Sequence, residues 1–186
     1  MSAIAEAPAA APAAALRKLY LVRFGFAVVW AALMFVVGQS LGPATVALLV
    51  LYPLFDVASA VVDLRSSEGA RPAVGLYANM ALSLLTAVGL GIAVTSGVPG
   101  VLRVWGAWAI TAGLVQLVVA IRRYHLGGQW AMILSGGISV LAGGGFVAMA
   151  GGPGAMLTGI AGYATLGGIF FLISALRLGR VAAKEA

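Results

Sequence analysis

The chain has 186 residues, 62% of them hydrophobic and 9% charged, with 26 glycines and a formal net charge of +6. Soluble domains carry about 25% charged residues, so this is a membrane composition, and cations spread over the ends of apolar stretches exclude the basic patch of a nucleic-acid binder. With no cysteine and one histidine, disulfides, thiolate chemistry and Cys- or His-rich metal centres are excluded, and no cofactor is expected.

Residues 1–16 form an Ala/Pro run with a single acid, Glu6, and no basic segment ahead of it. A secretory signal needs that basic region, so residues 1–18 read as a disordered cytoplasmic tail. The first apolar stretch runs from Leu19 to Leu41 and holds Arg23 near its start and Trp30 near its middle. After the turn Gln39-Ser40-Leu41-Gly42-Pro43, the second runs from Pro43 to Leu64 and is unusually polar, with Tyr52, Pro53, Asp56, Ser59 and Asp63.

Asp56 stands nine residues before Arg65, which at ~1.5 Å per residue puts it about 13 Å inside the interface. A charge at such depth costs at least ~2.5 kcal/mol, so a partner, a water-filled cavity or a bound proton is expected. Arg23 is one candidate partner, because its side chain can reach inward from the first stretch. Asn79, at similar depth in the third stretch, is another, able to hydrogen-bond the carboxyl group in either form. Pro53 should free the carbonyl of Leu49 and kink the helix. Asp56, Ser59 and Asp63 share a face at helical spacing; Asp63 lies near the interface and should pair with a local arginine.

The third stretch, Ala73 to Ser96, ends in Ser96-Gly97-Val98-Pro99-Gly100, and the fourth runs from Val101 to Ile121. Arg103 and Trp105 open the fourth as an amphipathic pair for the outer interface; Gln116 further along suits an inter-helix hydrogen bond or a polar site. The gap that follows holds Arg122, Arg123, Tyr124 and His125, the last read as a solvated loop residue. The fifth stretch, Trp130 to Ala150, carries Ser135, Ser139 and Gly143 at four-residue spacing. After Gly151-Gly152-Pro153-Gly154 the sixth, Gly154 to Leu176, carries Gly159, Gly162, Gly167 and Gly168. Ser135, Ser139, Gly143, Gly159 and Gly167 are expected to let helices pack closely, within the bundle or between copies. Trp30, Tyr52, Trp108 and Tyr163 read as bundle packing, and Tyr20, Tyr124 and Trp130 as a cytoplasmic aromatic belt.

Each stretch is about 20 residues, the length that spans a hydrocarbon core of ~30 Å as a helix. Every Lys and Arg except Arg103 falls at the N-terminus, in the second or fourth gap, or in the C-terminal tail. Cytoplasmic loops collect these residues, so the expected fold is an all-α bundle of six membrane helices with both termini cytoplasmic. Pro43, Pro99 and Pro153 each lead, after 22 to 24 residues, to Arg65, Arg122 and Arg177. That period makes three tandem helical hairpins, residues 19–65, 73–122 and 129–177, within a membrane domain of residues 19–178 and ahead of a tail at 179–186. Where the first hairpin has Asp56, the others offer Gly113 and Gly167.

The segment from Trp130 through Ser135-Gly136-Gly137 and Ala142-Gly143-Gly144-Gly145, then Pro153 and Gly162 to Arg177, resembles the hairpin repeat of the HdeD family of bacterial inner-membrane proteins. The likeness covers roughly Leu19 to Arg180. It implies a six-helix protein of the bacterial inner membrane, without an established enzymatic activity and with a namesake tied to acid resistance. No nucleophile–base pair, metal cluster or nucleotide loop stands out along the chain. The expected function is therefore non-enzymatic, exerted by packing with itself or a membrane partner in the lipid bilayer. The alternative is a small transporter or proton-handling protein centred on Asp56, with Arg23, Asn79, Gln116 and Ser59 as helpers.

Overall fold

The computed structural model describes residues 10–66, 73–122 and 130–182, and all secondary structure among them is helical. The helices are α1 (Ala10–Val37), α2 (Pro43–Ser66), α3 (Ala73–Ala93), α4 (Gly97–Arg122), α5 (Trp130–Met149) and α6 (Thr158–Ala182). Four apolar helical stretches are long enough to cross a membrane: Ala14–Val37, Pro43–Arg65, Val74–Val118 and Thr158–Arg180. The apolar part of α5, Ile133–Met149, is shorter.

The stretch Val74–Val118 is not one rod. A short 3-10 turn, Val94–Ser96, joins α3 to α4, and Gly97 follows it with φ at +71°, a left-handed conformation open chiefly to glycine. A Cβ at Gly100 would lie 2.6 Å from the carbonyl oxygen of Ala93, so the reversal is also too tight for a side chain there. The return is fixed by the indole Nε1 of Trp108, which donates to Ser83 Oγ at 3.2 Å. These residues stand 25 apart in sequence, and a continuous helix would separate them by about 37 Å.

Two boundaries differ from the sequence reading. Helix α1 begins at Ala10, inside the segment expected to be a disordered tail. Alanine is the strongest helix former, and Pro12 lies in the first turn, where its missing N–H has no intrahelical partner to lose. Helix α6 begins at Thr158 rather than Gly154, so Pro153 sits in the turn and does not open the helix, unlike Pro43 at the start of α2. His125, Arg71, Arg123, Tyr124 and Lys184 lie outside the described residues.

The helices close into a ring in chain order, with the last against the first. The seams alternate: α2–α3, α4–α5 and α6–α1 are packed more closely than α1–α2, α3–α4 and α5–α6. Glycine explains the tightest of them. Gly106 and Gly143 each face the other's carbonyl oxygen, 2.6 Å from where a Cβ would stand, and Gly113 and Gly136 repeat the arrangement seven residues along each helix. At this spacing the backbones themselves meet, which lets dispersion and weak polar contacts hold helices together where lipid removes any hydrophobic drive.

Outside, the helices present valines, leucines and isoleucines, often at seven-residue spacing, as in Val22, Val29 and Val36 on α1 and Leu134 and Leu141 on α5. Inside, Asp56, Ser59, Ser83, Thr45 and Thr86 are buried. Apolar outside and polar inside is the distribution a hydrocarbon solvent favours.

Candidate functional site

Asp56 lies on α2, one turn beyond Pro53, and is 6% exposed. Arg23 on α1 donates from Nη2 to its Oδ1 and forms an ion pair with it. On the other oxygen, Oδ2, Asn79 Nδ2 donates at 2.6 Å and Ser83 Oγ at 2.8 Å, both from α3. Trp108 of α4 supplies the next link by donating to Ser83 Oγ. One carboxyl group therefore ties α1, α2 and α3 directly and α4 through Ser83.

The direction of these bonds carries chemical information. Ser83 Oγ accepts from the indole of Trp108 and donates its one hydrogen to Asp56. Arg23 and the Asn79 amide nitrogen can only donate. Every neighbour thus offers a proton and none accepts one, which is the environment of a carboxylate. The guanidinium of Arg23 is itself held from the far side, its Cζ lying 4.3 Å from the ring centroid of Phe171 on α6, a cation–π contact suited to a partly desolvated charge.

Of the residues singled out in the sequence, Arg23, Asp56 and Asn79 thus meet at one point. Ser59 is buried one turn beyond Asp56. Gln116 is half-buried on α4, eight residues past Trp108 toward Arg122. Ser83 was missed, although its spacing of four from Asn79 puts both on one helix face.

Next to the network lies an aromatic core. Trp30 and Trp105 stack with centroids 5.7 Å apart, Trp108 meets Trp105 edge-on at 5.3 Å, and Tyr52 touches all three. These rings pack against one another's faces and edges. Trp105 is fully buried, so the expected interfacial pair with Arg103 does not form. Two residues apart on a helix point to opposite sides, and only Arg103 remains exposed.

The two central indoles differ in their polar ends. Trp30 Nε1 donates to the carbonyl of Leu48 at 2.7 Å. This cross-helix bond reaches the carbonyl one residue before the one Pro53 was expected to free. Trp105 Nε1 is buried without a partner among the described residues. A buried polar group stranded by loss of its partner costs about 1–3 kcal/mol. Trp30→Phe should therefore destabilise the protein more than Trp105→Phe, by about 1 kcal/mol, because the first loses an inter-helix hydrogen bond, although the Leu48 carbonyl keeps its place in the helix ladder, and the second removes an unpaired donor. Thermal unfolding of both variants in micelles checks the order, and equal losses would show that ring volume alone matters.

The packing residues divide. Gly143 lies against Gly106, and the Cβ of Ser139 contacts Gly113 while its hydroxyl accepts from Tyr163 Oη at 3.1 Å. Ser135 is half-buried. Gly159 meets only the Phe146 ring edge, and Gly167 faces open space. Its neighbour Gly168 takes the close contact, a Cβ there standing 3.1 Å from that of Ala27 on α1, because one residue turns a helix by ~100°. At the end of the bundle holding Arg177, that guanidinium lies 4.4 Å over the half-exposed ring of Trp130. Tyr20 packs beside Phe171.

Two shallow apolar grooves mark the loose seams. One, of about 410 Å³, is lined by Leu33, Val37, Ala44 and Leu51 between α1 and α2; the other, of about 290 Å³, lies between α5 and α6 beside Phe146 and Gly162. Neither is lined by a member of the Asp56 network. Comparison with family models, curated proteins and solved structures finds no match.

Proposed function

We propose that this chain is a non-enzymatic multi-pass protein of the bacterial inner membrane. In this reading it crosses the bilayer six times as three tandem hairpins with both termini cytoplasmic. In keeping with the likeness to the HdeD family, it serves acid or envelope stress by packing with itself or with another membrane protein. Asp56 acts as a structural lock. The observation that carries this reading is that Asp56 is engaged on both oxygens by donors from α1 and α3, so its charge is used in joining helices.

The ring geometry supports the threefold repeat. The residues nine before Arg65, Arg122 and Arg177 are Asp56, Gly113 and Gly168. Asp56 meets α3, Gly113 meets Gly136 on α5, and Gly168 meets Ala27 on α1, so each faces the following helix across one of the three tight seams. Equivalent sequence positions doing equivalent work is what stacked copies of one unit produce.

A second reading, a proton- or ion-handling site, is favoured by the residual 19% exposure of the Arg23 side chain, which brings the ion pair to the edge of the bundle. Flux measured in proteoliposomes, with Asp56→Asn as matched control and thermal stability recorded on both, separates the two. The structural lock predicts no flux from either protein and a less stable variant. Flux that disappears in Asp56→Asn at unchanged stability would establish the second reading.

A further inference from the structure

Helices α1 and α6 contain no acidic residue, yet they bring Arg17, Lys18, Arg177 and Arg180 to the same end of the bundle. Arg23, the remaining cation of the pair, is already matched by Asp56. The guanidinium of Arg17 lies along the backbone of α6, with Nε 3.0 Å and Cζ 3.1 Å from where a Cβ of Gly179 would stand. Gly179 precedes Arg180 and follows Arg177 by two residues, so along the axis of α6 Arg17 lies within one turn of both, while Arg177 turns to the opposite face, over Trp130 of α5. The last carbonyls of α6 attract a cation there, and among the described residues of α1 and α6 no carboxylate offsets these charges. Arg17, Lys18 and Arg180 are exposed, and Arg177 is propped on the ring of Trp130, itself 50% exposed.

We infer that this cluster is a binding site for the headgroup of an anionic phospholipid, the phosphodiester engaged by Arg17 and Arg180 with Lys18 and Arg177 flanking, and Trp130 anchoring the Arg177 side at headgroup level. The inference rests on the membrane reading above, which places these helix ends at the bilayer surface. Three observations choose the lipid over other anions. Guanidinium forks match phosphate oxygens in pairs. A half-exposed tryptophan under one of the arginines is the residue that settles at the lipid–water boundary. Basic clusters between helices on the cytoplasmic side are suited to acidic headgroups.

The test uses the full-length protein in zwitterionic detergent, titrated with dioleoyl phosphatidylglycerol, dioleoyl phosphatidylcholine or inorganic phosphate while the unfolding midpoint is followed. Wild type should be stabilised by phosphatidylglycerol alone. Lys18→Gln and Arg180→Gln, both at exposed positions, should each weaken the apparent lipid affinity about fivefold, the factor expected for one cation near an anionic surface. Arg103→Gln, the same charge change at the other end of the bundle, should leave it unaltered. Equal stabilisation by phosphatidylcholine, equal stabilisation by free phosphate, or an equal loss in Arg103→Gln would each overturn the site. Alkaline extraction of membranes tests the underlying reading separately: protein released to the supernatant would overturn the membrane assignment itself, whereas retained protein indifferent to phosphatidylglycerol would overturn only the lipid site.

Discussion

Replacing Asp56 by alanine should destabilise the folded protein by about 3 kcal/mol, read as a lowered unfolding midpoint in micelles. Breaking a buried ion pair from one side costs about 3–5 kcal/mol because the surviving charge is left without compensation. The partial exposure of Arg23 places this case at the lower end. The hydrogen bonds matter less. Inter-helix hydrogen bonds inside membranes average about 0.6 kcal/mol, so Asn79→Ala should cost well under a third of the Asp56 effect, while Ser83→Ala should cost more than Asn79→Ala because it also strands the indole N–H of Trp108. The isosteric Asp56→Asn keeps the volume but removes the charge and turns an amide N–H toward donors, so it too should destabilise. Adding Arg23→Met to Asp56→Ala should restore part of the loss, since no unpaired ion then remains. A double variant no more stable than Asp56→Ala would show that the carboxylate holds the helices through its α3 donors instead.

Gly143→Leu should be comparably damaging, while Gly144→Leu and Gly145→Leu, in the same triplet, should change stability by no more than about 0.5 kcal/mol. At Gly143 a Cβ would stand 2.6 Å from the carbonyl oxygen of Gly106 and 2.9 Å from the backbone nitrogen of Ile110. Both are main-chain atoms and cannot rotate aside, so α4 and α5 must separate along the seam. Overpacking costs about 1–3 kcal/mol even where side chains can yield, and here the upper end is expected. At Gly144 and Gly145 a Cβ meets nothing within 4 Å, and a leucine there would add to the apolar outer surface. Unfolding of the three variants in parallel is the measurement. A tolerated Gly143→Leu would mean that the α4–α5 approach is not required for folding.

Much of the helical layout was legible in the sequence because its signals are local and strong. Runs of apolar residues, cations confined to alternate gaps and the Pro/Gly turns need no knowledge of neighbours. Boundaries were less legible where propensity and composition conflict. Residues 10–16 are poor in large side chains, which suggested disorder, but alanine's low entropic cost carried the helix back to Ala10. At the other end of the reading, Pro153 had the same turn signature as Pro43, yet α6 starts five residues later.

Asp56 was legible for the same reason: a carboxylate flanked by apolar residues needs an explanation wherever it sits. Arg23 and Asn79 could be named as its partners from depth alone, since depth along a helix is counted in residues. Only the tertiary structure decided the remainder, because it depends on rotation about helix axes and on which helix stands beside which. One residue of register separates Gly168, pressed on Ala27, from Gly167 in open space, and Gly143 at the backbone of α4 from Gly144 facing outward. Two residues separate exposed Arg103 from buried Trp105. An apolar stretch offers lipid and protein faces of nearly equal hydropathy, so no periodicity marks the inward side. That choice, and with it the addition of Ser83 and Trp108 to the Asp56 network and the meeting of Arg17 with the end of α6, was made by how the helices pack, with backbones meeting on the α4–α5 seam where a Cβ is missing.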